Sequence, residues 1–200
     1  MSKYFYQSPK FITFASSIKI IHMKTTLPLI FKNSWPYGLI LGAISILASL
    51  LMYIFDVNMF SISFAIFSFV GFLVAIPATV GVLGCNNLRT KHAADRTIAY
   101  LDAVFACLVI FLIGFLLSNL YSYVFNNFID PGYLKAQMQK LVEMLDKYNL
   151  PQEQIDETIA KSEKGFQPVR MLLTSVITSA VLSLIISIFI RKKDKFEETI

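Results

Sequence analysis

Four long apolar runs, at 37–55, 59–84, 98–125 and 171–190, constrain this chain more than any other feature. Each has about the 20 residues that a helix needs to cross the hydrocarbon of a bilayer. In lipid every backbone N–H and C=O must be paired within its own segment, so runs this apolar and this far apart have one economical form, the helix. The hydrophobic fraction of 56% and charged fraction of 16% depart from the roughly 45–50% and 25% of soluble domains in the same direction. Mean hydropathy is +0.61. The expected fold class is all-α, an integral membrane bundle of four transmembrane helices.

Charge gives that bundle an orientation. Lys3, Lys10, Lys19, Lys24 and Lys32 precede the first run, Arg89, Lys91 and Arg96 lie between the second and third, and Arg191, Lys192, Lys193 and Lys195 follow the fourth. The turn between the first two runs has Asp56 and no Lys or Arg. Loops rich in Lys and Arg stay in the cytoplasm, which places both termini and the 85–97 loop inside and the long 126–170 connection outside. The formal net charge of +5 comes from segments that flank the spans, so nucleic acid is not an expected partner. The lipid bilayer is, with Arg89, Lys91 and Arg96 as candidate contacts to anionic headgroups.

The chain divides accordingly into a cytoplasmic segment at 1–34, a four-span domain at 35–190 and a basic cytoplasmic tail at 191–200. Residues 1–30 lack the order of a signal peptide. Two readings of 1–22 stand side by side: an over-extended start before Met23, or an interfacial amphipathic helix built on Phe11, Ile12, Phe14, Ile18 and Ile21.

Small residues mark the faces on which spans meet. Gly38, Gly42, Ser45 and Ser49 share one face of the first span, and Ser175, Ser179, Ser183 and Ser187 recur every four residues in the fourth. Helices in lipid associate through close packing, which such faces permit. Leu41 is expected on another face. Pro77 removes a hydrogen bond from the second span and predicts a kink there. Cys85 and Cys107 have no metal-type spacing and read as small packing residues.

Two polar residues within the spans are candidate functional positions. Asp102 falls about one turn inside the third span, within reach of Lys91 or Arg96, and an intramembrane acid is a functional suspect by default. It also sits near a helix N-terminus, where the dipole favours negative charge, so a structural anchor is the preferred reading. Asn119, near the far end of the same span, suits a hydrogen bond to a neighbouring helix.

The 126–170 connection has its own architecture, an extracytoplasmic helical hairpin. Asp130 before Pro131 is a cap residue followed by proline at the first helical position. Tyr133, Leu134, Met138, Leu141, Val142, Leu145 and Tyr148 then form an apolar stripe. A second helix runs from Pro151 through Ile155 and Ile159 to a stop near Gly165 and Pro168. Burial of the stripe against this partner helix is the default.

No phosphate-binding glycine loop, zinc-protease motif or nucleophile with a base is recognisable, so no enzyme activity, catalytic residue, metal ligand or cofactor is expected. Two classes remain. One is a non-enzymatic scaffold or accessory subunit that meets a membrane-protein partner, or its own copies, through the hairpin or the basic loop. The other is a small oligomeric transporter or channel using Asp102, which the scarcity of intramembrane polar groups disfavours.

Several short motifs converge on one family. Ile129-Asp130-Pro131 directly after a span, the approach Arg96-Thr97-Ile98-Ala99-Tyr100-Leu101-Asp102-Ala103-Val104-Phe105, and the opening Tyr37-Gly38-Leu39-Ile40-Leu41-Gly42 resemble the bacterial family catalogued as domain of unknown function 4199 (DUF4199). The resemblance extends over roughly 23–193. It implies a four-span inner-membrane protein of unassigned activity, with no catalytic residues to carry over.

Overall fold

The computed structural model describes residues 25–61, 64, 66, 68–92, 98–148 and 151–190. The two readings of residues 1–22, the tail at 191–200 and Arg96 fall outside them. All regular structure among the described residues is helical: α1 (Leu27–Ile54), α2 (Ile76–His92), α3 (Tyr100–Val124), α4 (Pro131–Lys147), α5 (Gln152–Gly165) and α6 (Pro168–Ile190). π-Helical turns at Phe69–Ala75 and Phe125–Ile129 precede α2 and extend α3. Among the described residues, four helices are long and apolar enough to cross a membrane: Leu27–Ile54, Val70–Lys91, Tyr100–Ile129 and Pro168–Ile190.

Two boundaries differ from the sequence expectation. The first helix starts at Leu27 and runs through Trp35 and Pro36, ten residues ahead of the first apolar run. Thr26 precedes it and Pro28 occupies its first turn, where a missing N–H costs nothing because that turn has no acceptor to offer. The second continues past Gly84 to His92, so much of the basic loop is helix. Polar Asn86, Asn87 and Arg89 hid this continuation from a hydropathy reading.

Local chemistry explains the other element ends. α1 stops where Asp56 takes a left-handed conformation (φ 46°), which a short polar side chain tolerates. The freed carbonyls are satisfied as in a Schellman motif, with Asp56 N donating to Tyr53 O (3.1 Å) and Val57 N to Met52 O (3.0 Å). Pro77 follows a π-helical turn, which is how its missing donor and bulky ring are accommodated. As expected, Asp130 caps α4, its Oδ1 accepting from Gly132 N (3.0 Å) and Tyr133 N (3.1 Å).

α3 is the hub of the bundle and packs against α1, α2 and α6. The main core consists of Ala103, Ala106, Cys107, Ile110 and Phe111 on α3 with Leu41, Val80, Leu88, Leu182 and Ile186 from the surrounding helices. α1 and α3 approach closely because glycines alternate with branched residues across the seam. A Cβ on Gly38 would lie 2.7 Å from Ile113 Cβ, one on Gly42 2.6 Å from Leu117 Cδ2, and one on Gly114 2.7 Å from Leu41 Cδ2 and Cγ. Leu41 is 1% exposed, so it lies on the packing face and not on another one. The opposite faces are apolar and open, with Leu47, Ile54, Leu173, Ile188 and Phe189 more than half exposed. Such surface is tolerable in lipid and far beyond what a soluble monomer presents.

The hairpin has a second, separate core. Met138, Leu141 and Leu145 of α4 bury against Ile155 of α5, with Phe60, Leu134, Val142, Ile159 and Phe166 around them. Most of the stripe thus packs on its partner helix as the default reading had it, except that Tyr133 packs against Tyr53 and Phe125 and Tyr148 is 57% exposed.

Candidate functional site

Polar groups gather at the two ends of the bundle. At the end remote from the hairpin, Asn33 Nδ2 donates to Gly84 O (3.2 Å) and Asn87 Nδ2 donates to Asn33 Oδ1 (3.0 Å), joining α1 to α2. Gly84 itself is closely packed, since a Cβ there would lie 2.5 Å from Ile110 Cδ1 and 3.3 Å from Tyr37 Cγ. The adjacent Ser34 is fully buried. Cys85 and Cys107 meet across α2 and α3 with Sγ atoms 3.7 Å apart, and the Cys85 thiol also lies 3.8 Å from Ala103 O.

Asp102 belongs to this end. It occupies the first turn of α3 and is buried among the neighbouring helices, 1% exposed. It takes part in the local interactions. Lys91 is exposed near the end of α2, and Arg89 donates to Asn86 Oδ1 on its own helix. The helix dipole supports a carboxylate at this position.

Asn119 lies 17 residues further along α3, about 25 Å at the helical rise, so the two intramembrane polar candidates are not brought together. Its Nδ2 donates to Met171 O (3.1 Å) and to Ser175 Oγ, fastening α3 to α6. A groove of about 480 Å³ opens beside this contact, lined by Ser118, Asn119, Ser122, Thr174, Ser175 and Thr178 with Phe115, Phe166 and Met171. Asp102 is not among its walls.

The small-residue faces divide in use. Gly38 and Gly42 set the α1–α3 approach, whereas Ser45 and Ser49 are half-buried and return their hydroxyls to Leu41 O (2.9 Å) and Ser45 O (3.0 Å). Ser175, Ser179, Ser183 and Ser187 are all at most 4% exposed. Ser175 and Ser183 bond to carbonyls of their own helix.

Apart from Tyr133, the hairpin end is built from residues that the apolar stripe did not single out. Tyr53 donates its hydroxyl to Asp130 Oδ2 (3.1 Å), so the residue that caps α4 also ties it to α1. Lys140 Nζ reaches Asp56 Oδ1 at 2.6 Å, and Gln137 Oε1 accepts from Met59 N at 3.3 Å. The rings of Tyr53, Phe125 and Tyr133 pack edge to face, with Tyr121 against Phe125. Asn33 and Asn87 were also missed. Their signal was available, since Asn33 and Ser34 stand four residues before Tyr37 and Gly38 and continue the same helical face.

No curated protein and no solved structure matches this chain. The model of one family does, over residues 36–192, a stretch that begins at Pro36 in α1 and takes in the rest of the first candidate span, the other three spans and the hairpin. The chain therefore belongs to the family described as Protein of unknown function (DUF4199).

Proposed function

We propose that this protein is a non-enzymatic scaffold or accessory subunit of a bacterial inner membrane, with both termini and the basic loop cytoplasmic and the hairpin outside. The observation that carries the reading is the way the hairpin is held. Tyr53–Asp130, Lys140–Asp56 and Met59–Gln137 attach α4 to the end of α1 and the turn after it, so the hairpin is fixed to the spans and offers a steady surface. Its outward faces carry Lys135, Glu143, Asp146 and Lys147 on α4 and Glu153, Glu157 and Lys161 on α5, a mixed-charge surface suited to a polar protein contact. A membrane-protein partner or a second copy of the chain is the occupant this surface fits.

Site-specific photocrosslinking from Glu143 and Lys147 in growing cells tests the reading. A single defined adduct that disappears when Lys147 is changed to Glu supports it, and a hairpin that crosslinks to nothing overturns it. The transporter alternative draws on the hydroxyl-lined groove beside Asn119. It predicts a solute flux in proteoliposomes that Asn119→Leu and Asp102→Asn both abolish.

A further inference from the structure

Where the hairpin meets the ends of α1 and α3, a cavity of about 120 Å³ lies among Ser49, Tyr53, Tyr121, Phe125, Tyr133 and Phe166. Its size suits a few waters or one small organic group, well below the roughly 300–1,000 Å³ of a site for a drug-sized ligand. Five of its walls are aromatic. Tyr53 and Phe125 are 4.9 Å apart at 75°, Tyr53 and Tyr133 5.1 Å at 78°, and Phe125 and Tyr133 5.7 Å at 86°. Rings set nearly at right angles present electron-rich faces in more than one direction, and those faces attract cations.

The fixed charges agree with the rings. Asp130 is bonded to the Tyr53 hydroxyl, Asp56 is nearby but engaged by Lys140, and no Lys, Arg or His is a wall of the cavity among the described residues. The Tyr133 phenol is held above its ordinary pKa by burial first and further by negative charge, including that of Asp56 and Asp130. Its hydroxyl oxygen is buried with no hydrogen-bond partner among the described residues. An anion would be repelled here. A bare divalent ion needs about six oxygen ligands, which aromatic walls do not supply.

We propose that this cavity binds an organic ammonium group, carried either by a free alkylamine or by the amine headgroup of a phospholipid. The rings hold the cation by their faces. The Asp130 carboxylate supplies long-range attraction through the Tyr53 hydroxyl. The position at the end of two spans is where headgroups lie.

The test uses the full chain in a sugar-headgroup detergent, with tetramethylammonium and ethanolamine as probes and sodium chloride as the ionic-strength control. The expected result is a saturable rise in unfolding temperature with either probe and none with sodium. Tyr121→Leu should weaken the effect about tenfold and Tyr121→Phe should restore it, because the ring face matters and its hydroxyl does not. Should Tyr121→Leu fail to fold, Ser49→Leu fills the cavity from α1 and should abolish probe binding. Reconstitution then separates the sources: phosphatidylcholine nanodiscs suppress the tetramethylammonium effect if the lipid headgroup is the ligand and leave it intact if a free amine is, with phosphatidylglycerol nanodiscs as reference. A folded wild type that shows no saturable response to either probe, or equal responses in wild type and Tyr121→Leu, overturns the proposal and leaves a water-filled cavity.

Discussion

Tyr53 and Asp130 are 77 residues apart in the chain, yet the tyrosine hydroxyl donates to the aspartate Oδ2 at 3.1 Å while Oδ1 caps the helix that follows. One carboxylate thereby starts α4 and fixes it to α1. The Ile129-Asp130-Pro131 motif has a physical reason in this double duty: the acid must precede the proline that opens the helix, and it must face the end of the first span.

Removing the two halves of that duty should cost different amounts. Tyr53→Phe loses one exposed hydrogen bond and should be mild. Asp130→Ala loses the cap as well, about 1–2 kcal/mol in all. Chemical unfolding in detergent, followed by proteolysis within 131–165, should rank Asp130→Ala below Tyr53→Phe; equal effects would show that the cap does not matter.

The α1–α3 seam predicts a sharp contrast among glycines. Gly38→Ala would set a Cβ 2.7 Å from Ile113 Cβ, an atom close to backbone that cannot rotate away, and should destabilise by about 1–3 kcal/mol. Gly71→Ala meets nothing within 4 Å and should be close to neutral. Steric-trapping measurements that rank the two substitutions alike would refute close packing at this seam.

Leu41→Ala should be costly too, at about 2 kcal/mol or more, since the side chain is 1% exposed and fills the space beside Gly114. A Gly114→Ala change placed on that background should recover part of the loss, because the cavity left by leucine then admits the new methyl group. Absence of any such coupling in a double-mutant cycle would mean that the two positions are not in contact.

Asp102→Asn separates the structural and transport readings. The amide keeps hydrogen-bonding capacity but cannot take up and release a proton. A structural Asp102 predicts normal insertion and full complementation of a deletion strain by the asparagine variant. A correctly inserted variant that fails to complement would move Asp102 into a translocation mechanism.

The orientation is checked by labelling. A cysteine introduced at Lys147, exposed on α4, should react with an impermeant maleimide in intact cells, and one at Lys193 should not. Cys85 and Cys107 are both 0% exposed and should stay silent in the folded protein, so they need not be removed first. The reverse pattern would invert the topology.

Much of this molecule was legible in the sequence because lipid is an undemanding judge of pattern. A run of about 20 apolar residues must be a helix when no water is present to pair its backbone. The stripe from Leu134 to Leu145, the proline after Asp130 and the glycines of the first span likewise act through local geometry, which spacing reports. What spacing could not report is which atoms of distant helices meet. Leu41 was assigned to the wrong face because the α1–α3 contact is wide enough to bury the neighbours of Gly38 and Gly42 as well. Asn33 and Asn87 looked like loop residues, although their amides are satisfied by each other and by Gly84 O across a helix pair. The hairpin cavity is the clearest case. Its aromatic walls come from the end of α1, the end of α3 and the turn that extends it, the first turn of α4 and the end of α5, and only their tertiary convergence turns five separate aromatic residues into one site, because a cavity is a property of packing and not of any one segment.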